Sequence, residues 1–287
     1  MKKKFLSIII ILLSIFVSLY YEQIDGTYSK SVAEGILEVY FFDVGQADSI
    51  LIRNNEEAML IDAGNNNDGI LLTNYINSLG IDSFKYVVGT HPHEDHIGGL
   101  DDVINNFSID TIFLPDVITT TKTFVEVLDA IENKNMNYEV PIIEDEYSLG
   151  TANIEVIYTG TDESDLNNTS IVLRLDFGDV SFLFTGDATD KTEELILNKN
   201  IEVDVLKVGH HGSRYSTTKE FLETVNPKYA IISVGNSNSY NHPHNETLKK
   251  FNDKNILVHR TDKEGTIIIS TDGKEINITN VWTDTNG

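Results

Sequence analysis

The 287-residue chain predicts an α/β fold carried by one body over residues 35–281. Two observations lead there. Apolar runs of strand length, rich in Ile, Val, Leu and Phe, alternate along that span with stretches whose apolar residues fall at helical spacing. No segment between them is rich enough in Pro, Gly or Ser to join separate domains. A hydrophobic content of 40% supports a core and rules out wholesale disorder.

The elements follow in order. Lys2, Lys3 and Lys4 precede an uncharged run of 17 residues from Phe5 to Tyr21. A basic start before a short apolar stretch predicts an export signal over residues 1–21, with a retained membrane anchor as the alternative. Residues 22–34 are polar and turn-rich and read as a linker. Ile36–Asp43, Ser49–Arg53 and Ala58–Asp62 read as three strands joined by Gly45-Gln46 and Asn54-Asn55 turns. Ile70, Leu71, Tyr75, Ile76 and Leu79 predict a helix over 69–79 that stops at Gly80. Tyr86–Gly89 is a short strand running into a histidine-rich loop, followed by a helix through about residue 105.

A strand at Thr111–Leu114 and a helix over 123–133 complete the first half. Glu144-Asp145-Glu146 reads as a solvated loop. The second half repeats the order: strands at Ile154–Tyr158, Ser170–Phe177 and Val180–Thr185, then helix 190–198 and strand Val203–Val208. Helix 218–225, strand Tyr229–Val234 and helix 245–253 follow, and the strand-like tail covers Ile256–His259, Thr266–Ser270 and Glu275–Thr279.

Composition narrows the chemistry. There is no cysteine, so no disulfide or thiolate metal site exists, and any metal must sit on His, Asp or Glu. Acids outnumber bases 45 to 21, for a net charge of −24. Removing residues 1–21 takes away three lysines and no acid, which moves the net charge to −27. Such a chain does not coat nucleic acid through a basic surface. A phosphodiester can still be handled in a cleft lined by cations, which reverse the local field.

The histidines carry the strongest signal. Seven of the eight fall in tight clusters. His91-Pro92-His93-Glu94-Asp95-His96 lies between a buried strand and a helix, where α/β proteins place ligands. Pro92 keeps this loop from becoming helical, so His91 and His93 can project together. Asp95 and His96 start the next helix, and Gly98-Gly99 allows another segment to come close. Imidazole and carboxylate are the ligands that zinc takes at hydrolytic sites.

Asp187 follows an apolar strand and a Gly turn, although aspartates there are often only caps. Gly209-His210-His211-Gly212-Ser213 again ends a buried strand, and His242-Pro243-His244 precedes a helix. His259 stands apart and reads as structural.

His91-x-His93-x-Asp95-His96, with Asp62-Ala63-Gly64 upstream, resembles the signature of the metallo-β-lactamase superfamily. Within it the chain is similar to the hydrolase domain of the ComEC competence proteins. Phe41-Phe42-Asp43-Val44-Gly45-Gln46-Ala47-Asp48, Asn167-Asn168-Thr169-Ser170, Phe184-Thr185-Gly186-Asp187 and Lys207-Val208-Gly209-His210-His211-Gly212-Ser213 carry that likeness. The membrane channel segments of ComEC have no counterpart in these residues, so the resemblance implies a hydrolase and not DNA uptake.

The resemblance implies a four-layer αββα fold, two mixed sheets face to face with helices outside. It also implies two divalent metal ions, zinc first and manganese as the alternative. His91 and His93 would hold one ion, Asp95, His96 and His211 the other, and Asp187 would lie between them. Asn168 stands where many members supply a further histidine, and it becomes a candidate for substrate contact. Asp62 would orient a ligand histidine.

Two such ions activate a water for attack on an ester or phosphodiester. Asp95 and His210 are the candidate catalytic residues, with His210 placed to protonate a leaving group. Ser213, Arg214, His242 and His244 are further candidates for substrate contact, and Arg214 suits a phosphate. The expected function is an exported phosphodiesterase or nuclease, its substrate a phosphodiester such as single-stranded DNA, with membrane contact only through residues 1–21. A phosphorylcholine esterase, a lactonase, a β-lactamase or a metal-containing binding protein are the other classes.

Overall fold

The computed structural model describes residues 35–162 and 164–281. The expected export segment and linker lie outside the described residues. Among the described residues, fifteen strands form two sheets. The first half supplies β1 (Leu37–Phe41), β2 (Ser49–Asn54), β3 (Glu57–Ala63), β4 (Ser83–Val88), β5 (Ser108–Phe113) and β6 (Tyr138–Glu139). The second supplies β7 (Glu146–Leu149), β8 (Ala152–Tyr158), β9 (Val172–Phe177), β10 (Val180–Phe184), β11 (Val205–Lys207), β12 (Tyr229–Ile232) and β13 (Leu257–Arg260). The tail adds β14 (Thr266–Thr271) and β15 (Ile276–Val281).

The helices are α1 (Gly69–Ser78), α2 (Glu94–Ile97), α3 (Leu100–Asn106), α4 (Lys122–Asn133), α5 (Asp190–Ile196), α6 (Lys219–Val225), α7 (Asn245–Asp253) and α8 (Thr261–Glu264). The eight-stranded sheet runs β15-β14-β1-β2-β3-β4-β5-β6 and the seven-stranded sheet β13-β12-β11-β10-β9-β8-β7. In each sheet an antiparallel hairpin leads into parallel strands: β3 to β6 in the first, β10 to β13 in the second. The two expected similar halves are thus two similar sheets.

Strand periodicity explains the layers. In β1, Leu37, Val39 and Phe41 enter the core between the sheets, while Tyr40 faces the helical layer. In β10, Val180, Phe182 and Phe184 enter that same core, while Leu183 joins the outer cluster with Leu222 and Phe251. Successive side chains point to opposite faces, so a strand covered on both sides reads as an unbroken apolar run. Three buried clusters, one between the sheets and one under each helical layer, build the αββα arrangement.

Several boundaries differ from expectation for local reasons. The helix expected through residue 105 is two helices, α2 and α3, broken at Gly98-Gly99. A Cβ on Gly98 would meet Asn66 N at 2.2 Å, and one on Gly99 would meet Ala63 O at 2.5 Å. The close approach expected there is made by the segment after β3. The strand expected from Ser170 begins at Val172, because Leu166–Thr169 forms a 3₁₀ turn and Ile171 N donates to Thr90 O. Strands β6 and β7 were not expected. Their lengths of two and four residues and their half-exposed faces leave little apolar signal, and Glu146, expected in a loop, starts β7.

Candidate metal centre

The parallel strands all run the same way within their sheet, so their C-terminal ends collect at one edge, the usual ligand edge of α/β sheets. The residues following β3, β4, β10, β11 and β12 meet there. Asp62, next to last in β3, takes a left-handed conformation (φ 59°), and its carboxylate accepts from Thr90 N at 2.8 Å and Thr90 Oγ1 at 2.7 Å. The same carboxylate lies 2.7 Å from His96 Nδ1. This holds the imidazole with Nε2 turned to Asp187 Oδ1, 3.3 Å away.

In the His loop, His93 N donates to His91 O across Pro92. His91 Nε2 and His93 Nδ1 come within 3.0 Å of each other, and the His91 and His96 ring centres within 4.1 Å. Asp187 is fixed by Ser170, just before β9 of the second sheet, whose hydroxyl accepts from Asp187 N at 3.1 Å. Beyond β11, His210 and His211 both take left-handed backbone, φ 50° and 51°, before Gly212 at 81°. Non-glycine residues held there store strain of about 1–3 kcal/mol each, and such strain concentrates at functional sites. The turn aims His211 Nε2 at Asp95 Oδ2 (3.3 Å) and Asp187 Oδ2 (3.6 Å), while His211 Nδ1 faces Ser233 O at 3.0 Å.

One ligand atom each from Asp95, His96, Asp187 and His211 lies within 4.8 Å of the others, three of these residues being buried. His96 Nε2 and Asp187 Oδ1 are buried and make no hydrogen bond among the described residues. Buried polar atoms are almost always paired, and atoms left facing each other in a carboxylate–imidazole set are what a cation needs.

The electrostatics agree. Burial by itself would lower His96 and His211, but Asp187, helped by Asp62 at His96 and by Asp48 and Asp95 at His211, pushes both up, His211 to about 10. The carboxylates here demand positive charge, which divalent ions supply. Burial keeps the imidazoles of His91 and His93 below their ordinary range, in the neutral form that binds metal. The residues present therefore fit divalent ions.

The other expected residues are placed as follows. His210 Nε2 lies 3.9 Å from Asp187 Oδ2, and its Nδ1 is buried without a hydrogen bond among the described residues. His242 packs edge-on to His210 and to His244, with ring centres 5.5 and 4.9 Å apart. His244 Nδ1 accepts from Arg214 N, and the Arg214 side chain is half-exposed, 3.6 Å from Glu246. Ser213 is buried, its hydroxyl accepting from Tyr215 N. Asn168 is buried, its amide oxygen accepting from Thr189 and Thr192 and its amide nitrogen donating to Asp162. His259 lies apart on β13, with Nδ1 2.9 Å from Glu264.

Sequence reasoning missed two residues at the centre. Asp48 and Lys207 are wholly buried, with Lys207 Nζ 2.5 Å from Asp48 Oδ2. The other oxygen of Asp48 lies 3.4 Å from His211 Nδ1. Burial would raise the Asp48 carboxyl, but Lys207 first, then His211 and His96, hold it down at about 2. The available signal was a lysine inside the apolar run Val205-Leu206-Lys207-Val208, since a charge is almost never fully buried unless paired.

The Metallo-beta-lactamase superfamily profile matches residues 42–236. Among curated relatives, ComE operon protein 3 of Bacillus subtilis (strain 168) is 31% identical over 252 residues, covering 80% of this chain and 32% of its own length. Competence protein ComA of Neisseria gonorrhoeae is 28% identical over 244 residues, 83% of this chain and 33% of its own. The chain spans about a third of the length of these relatives. Among solved structures, Igni18, a metallo hydrolase from Ignicoccus hospitalis, aligns with a TM-score of 0.56 at 15% identity, over 81% of this chain and 98% of that one. With the fold, the histidine cluster and the profile match in agreement, the chain belongs to the metallo-beta-lactamase superfamily, as a ComEC-like hydrolase domain.

Proposed function

We propose that residues 35–281 form an exported metal-dependent phosphodiesterase that cuts single-stranded DNA, with residues 1–21 as the export segment or anchor. The observation that carries this reading is the convergence of His91, His93, Asp95, His96, Asp187 and His211 at one sheet edge, with the half-exposed Arg214 on the turn that follows His211. His91 and His93 would hold one divalent ion, Asp95, His96 and His211 a second, with Asp187 between them. Zinc suits this donor set, and manganese is the alternative. Bound ions would supply Lewis-acid polarisation of a phosphoryl oxygen and a water acidic enough to ionise near neutral pH.

The chain's own residues do the rest. Asp62 and Thr90 lock the His96 ring, and Ser233 O fixes which nitrogen of His211 faces the cleft. His210, about a quarter exposed beside Asp187, is the group we assign to the leaving oxygen. Arg214 and the His242–His244 pair line the approach. Ser213 and Asn168 we assign to holding the loops, because their polar groups are directed at protein partners. The names of the competence relatives favour DNA among phosphodiesters.

The test is hydrolysis of bis-p-nitrophenyl phosphate and single-stranded DNA, with phosphorylcholine esters and a lactam alongside, in zinc and in manganese. Cleavage of both phosphodiesters, lost in Asp95→Asn, is the expected result. Turnover confined to phosphorylcholine esters or the lactam would overturn it.

A further inference from the structure

The cleft has a second chemical feature beside its metal ligands. Tyr240 is 63% exposed, yet its ring is stacked on His242, centre to centre 5.6 Å at 23°. His242 in turn packs against His210, whose Nε2 is within 3.9 Å of Asp187. A single file of rings therefore leads from the proposed metal site to an aromatic face open to solvent. The segment that carries Tyr240 is built. Asn238 donates to the carbonyls of Gly235 and His242 and accepts from His242 N, closing the loop on itself. Gly235 N donates to Gln46 Oε1, which ties the loop to the first sheet.

An aromatic ring fixed on one face and open on the other is a platform for another flat ring. A nucleobase has such a face whatever its identity, and presents it fully only when unpaired. Resting on the phosphodiesterase reading, we propose that Tyr240, backed by His242, stacks an unpaired base of the strand whose phosphodiester lies at the metal site. The platform adds affinity for a single strand without any basic groove, in keeping with the acidic chain. It also makes a duplex a poor substrate, because a paired base cannot offer that face.

The full chain with its metal ions should be assayed on a short single strand and on the same strand with abasic residues around the cut linkage. Stacking contributions correspond to roughly five- to hundredfold in affinity. Tyr240→Ala should therefore raise KM for the base-bearing strand about tenfold and leave the abasic strand unchanged, while Tyr240→Phe keeps the wild-type KM. In parallel, 2-aminopurine in the strand should be quenched on binding to Asp95→Asn protein, and the quench should be lost when Tyr240→Ala is added. Equal KM for both strands in wild-type and Tyr240→Ala protein, or a quench that survives Tyr240→Ala, overturns the proposal. If no phosphodiester is cut, the quench alone decides: its loss in Tyr240→Ala upholds the platform while the phosphodiesterase reading fails.

Discussion

Replacing Lys207 by Met should destabilise the metal-free protein severely, and the reason is charge rather than packing. The ammonium is wholly buried, sits 2.5 Å from Asp48 Oδ2 and donates to Val208 O at 3.0 Å. Methionine fills most of its volume but leaves the Asp48 carboxylate, 1% exposed, facing His211 and more distantly His96 among the described residues. Breaking a buried pair from one side costs about 3–5 kcal/mol, because the remaining charge stays desolvated. At roughly 2–4 °C per kcal/mol for a domain of this size, the melting temperature should fall by roughly 6–20 °C. Replacing both members by apolar residues of similar volume is close to neutral in other buried pairs.

Asp48→Leu/Lys207→Met should accordingly recover most of the loss. The double-mutant cycle, read by urea unfolding followed by far-ultraviolet circular dichroism, should give a coupling of about 3 kcal/mol. Additivity within about 0.5 kcal/mol, the range for independent sites, would refute the argument. It would mean that the pair is open to water or that Asp48 is neutral in the fold.

Three further outcomes are expected. Purified protein should take up about two divalent ions per chain by elemental analysis, and Asp62→Asn should weaken that uptake about 10- to 100-fold in a chelator competition, since Asp62 orients His96. Asp204, just before β11, accepts from Ser181 N and pairs with Lys228 at 2.8 Å; burial would raise it, but these partners lower its pKa below the ordinary 3.8. Its contribution to stability is complete above pH 3.8 and fades as pH falls through the lowered value, so the deficit of Asp204→Asn should be full at pH 5–7 and shrink below pH 3.8, as chemical denaturation across that range would reveal. Cleavage of a short single strand should hold steady or rise with moderate salt, because the acidic chain repels the polyanion. A steep fall implying six or more phosphate contacts would point to a basic groove.

Much of this protein was legible in one dimension. The apolar runs of β1, β2, β10 and β12 and the turns between them are local patterns, and so is the clustering of donors at His91–His96 and His210–His211. Those residue types after buried strands already point to a metal-binding edge, because few other roles suit so many imidazoles in so short a stretch. What the sequence could not carry is long-range pairing. Nothing local says that β14 lies against β1, with Leu37 opposite Thr271, so that the tail closes the first sheet rather than extending the second.

Pairing across the fold also settles the environment of single residues. Asn168 looks like a ligand position by its place in the chain, but α5 brings the Thr192 hydroxyl, and the turn before it that of Thr189, to its amide. Asp48 and Lys207 are 159 positions apart and read separately as a loop acid and a strand base; only the meeting of the two sheets makes them one buried pair behind His211. A local pattern sets which face of a strand is apolar. Which charge ends up beside which is decided by the packing of the sheets, because burial removes the water that would otherwise stand in for the missing partner.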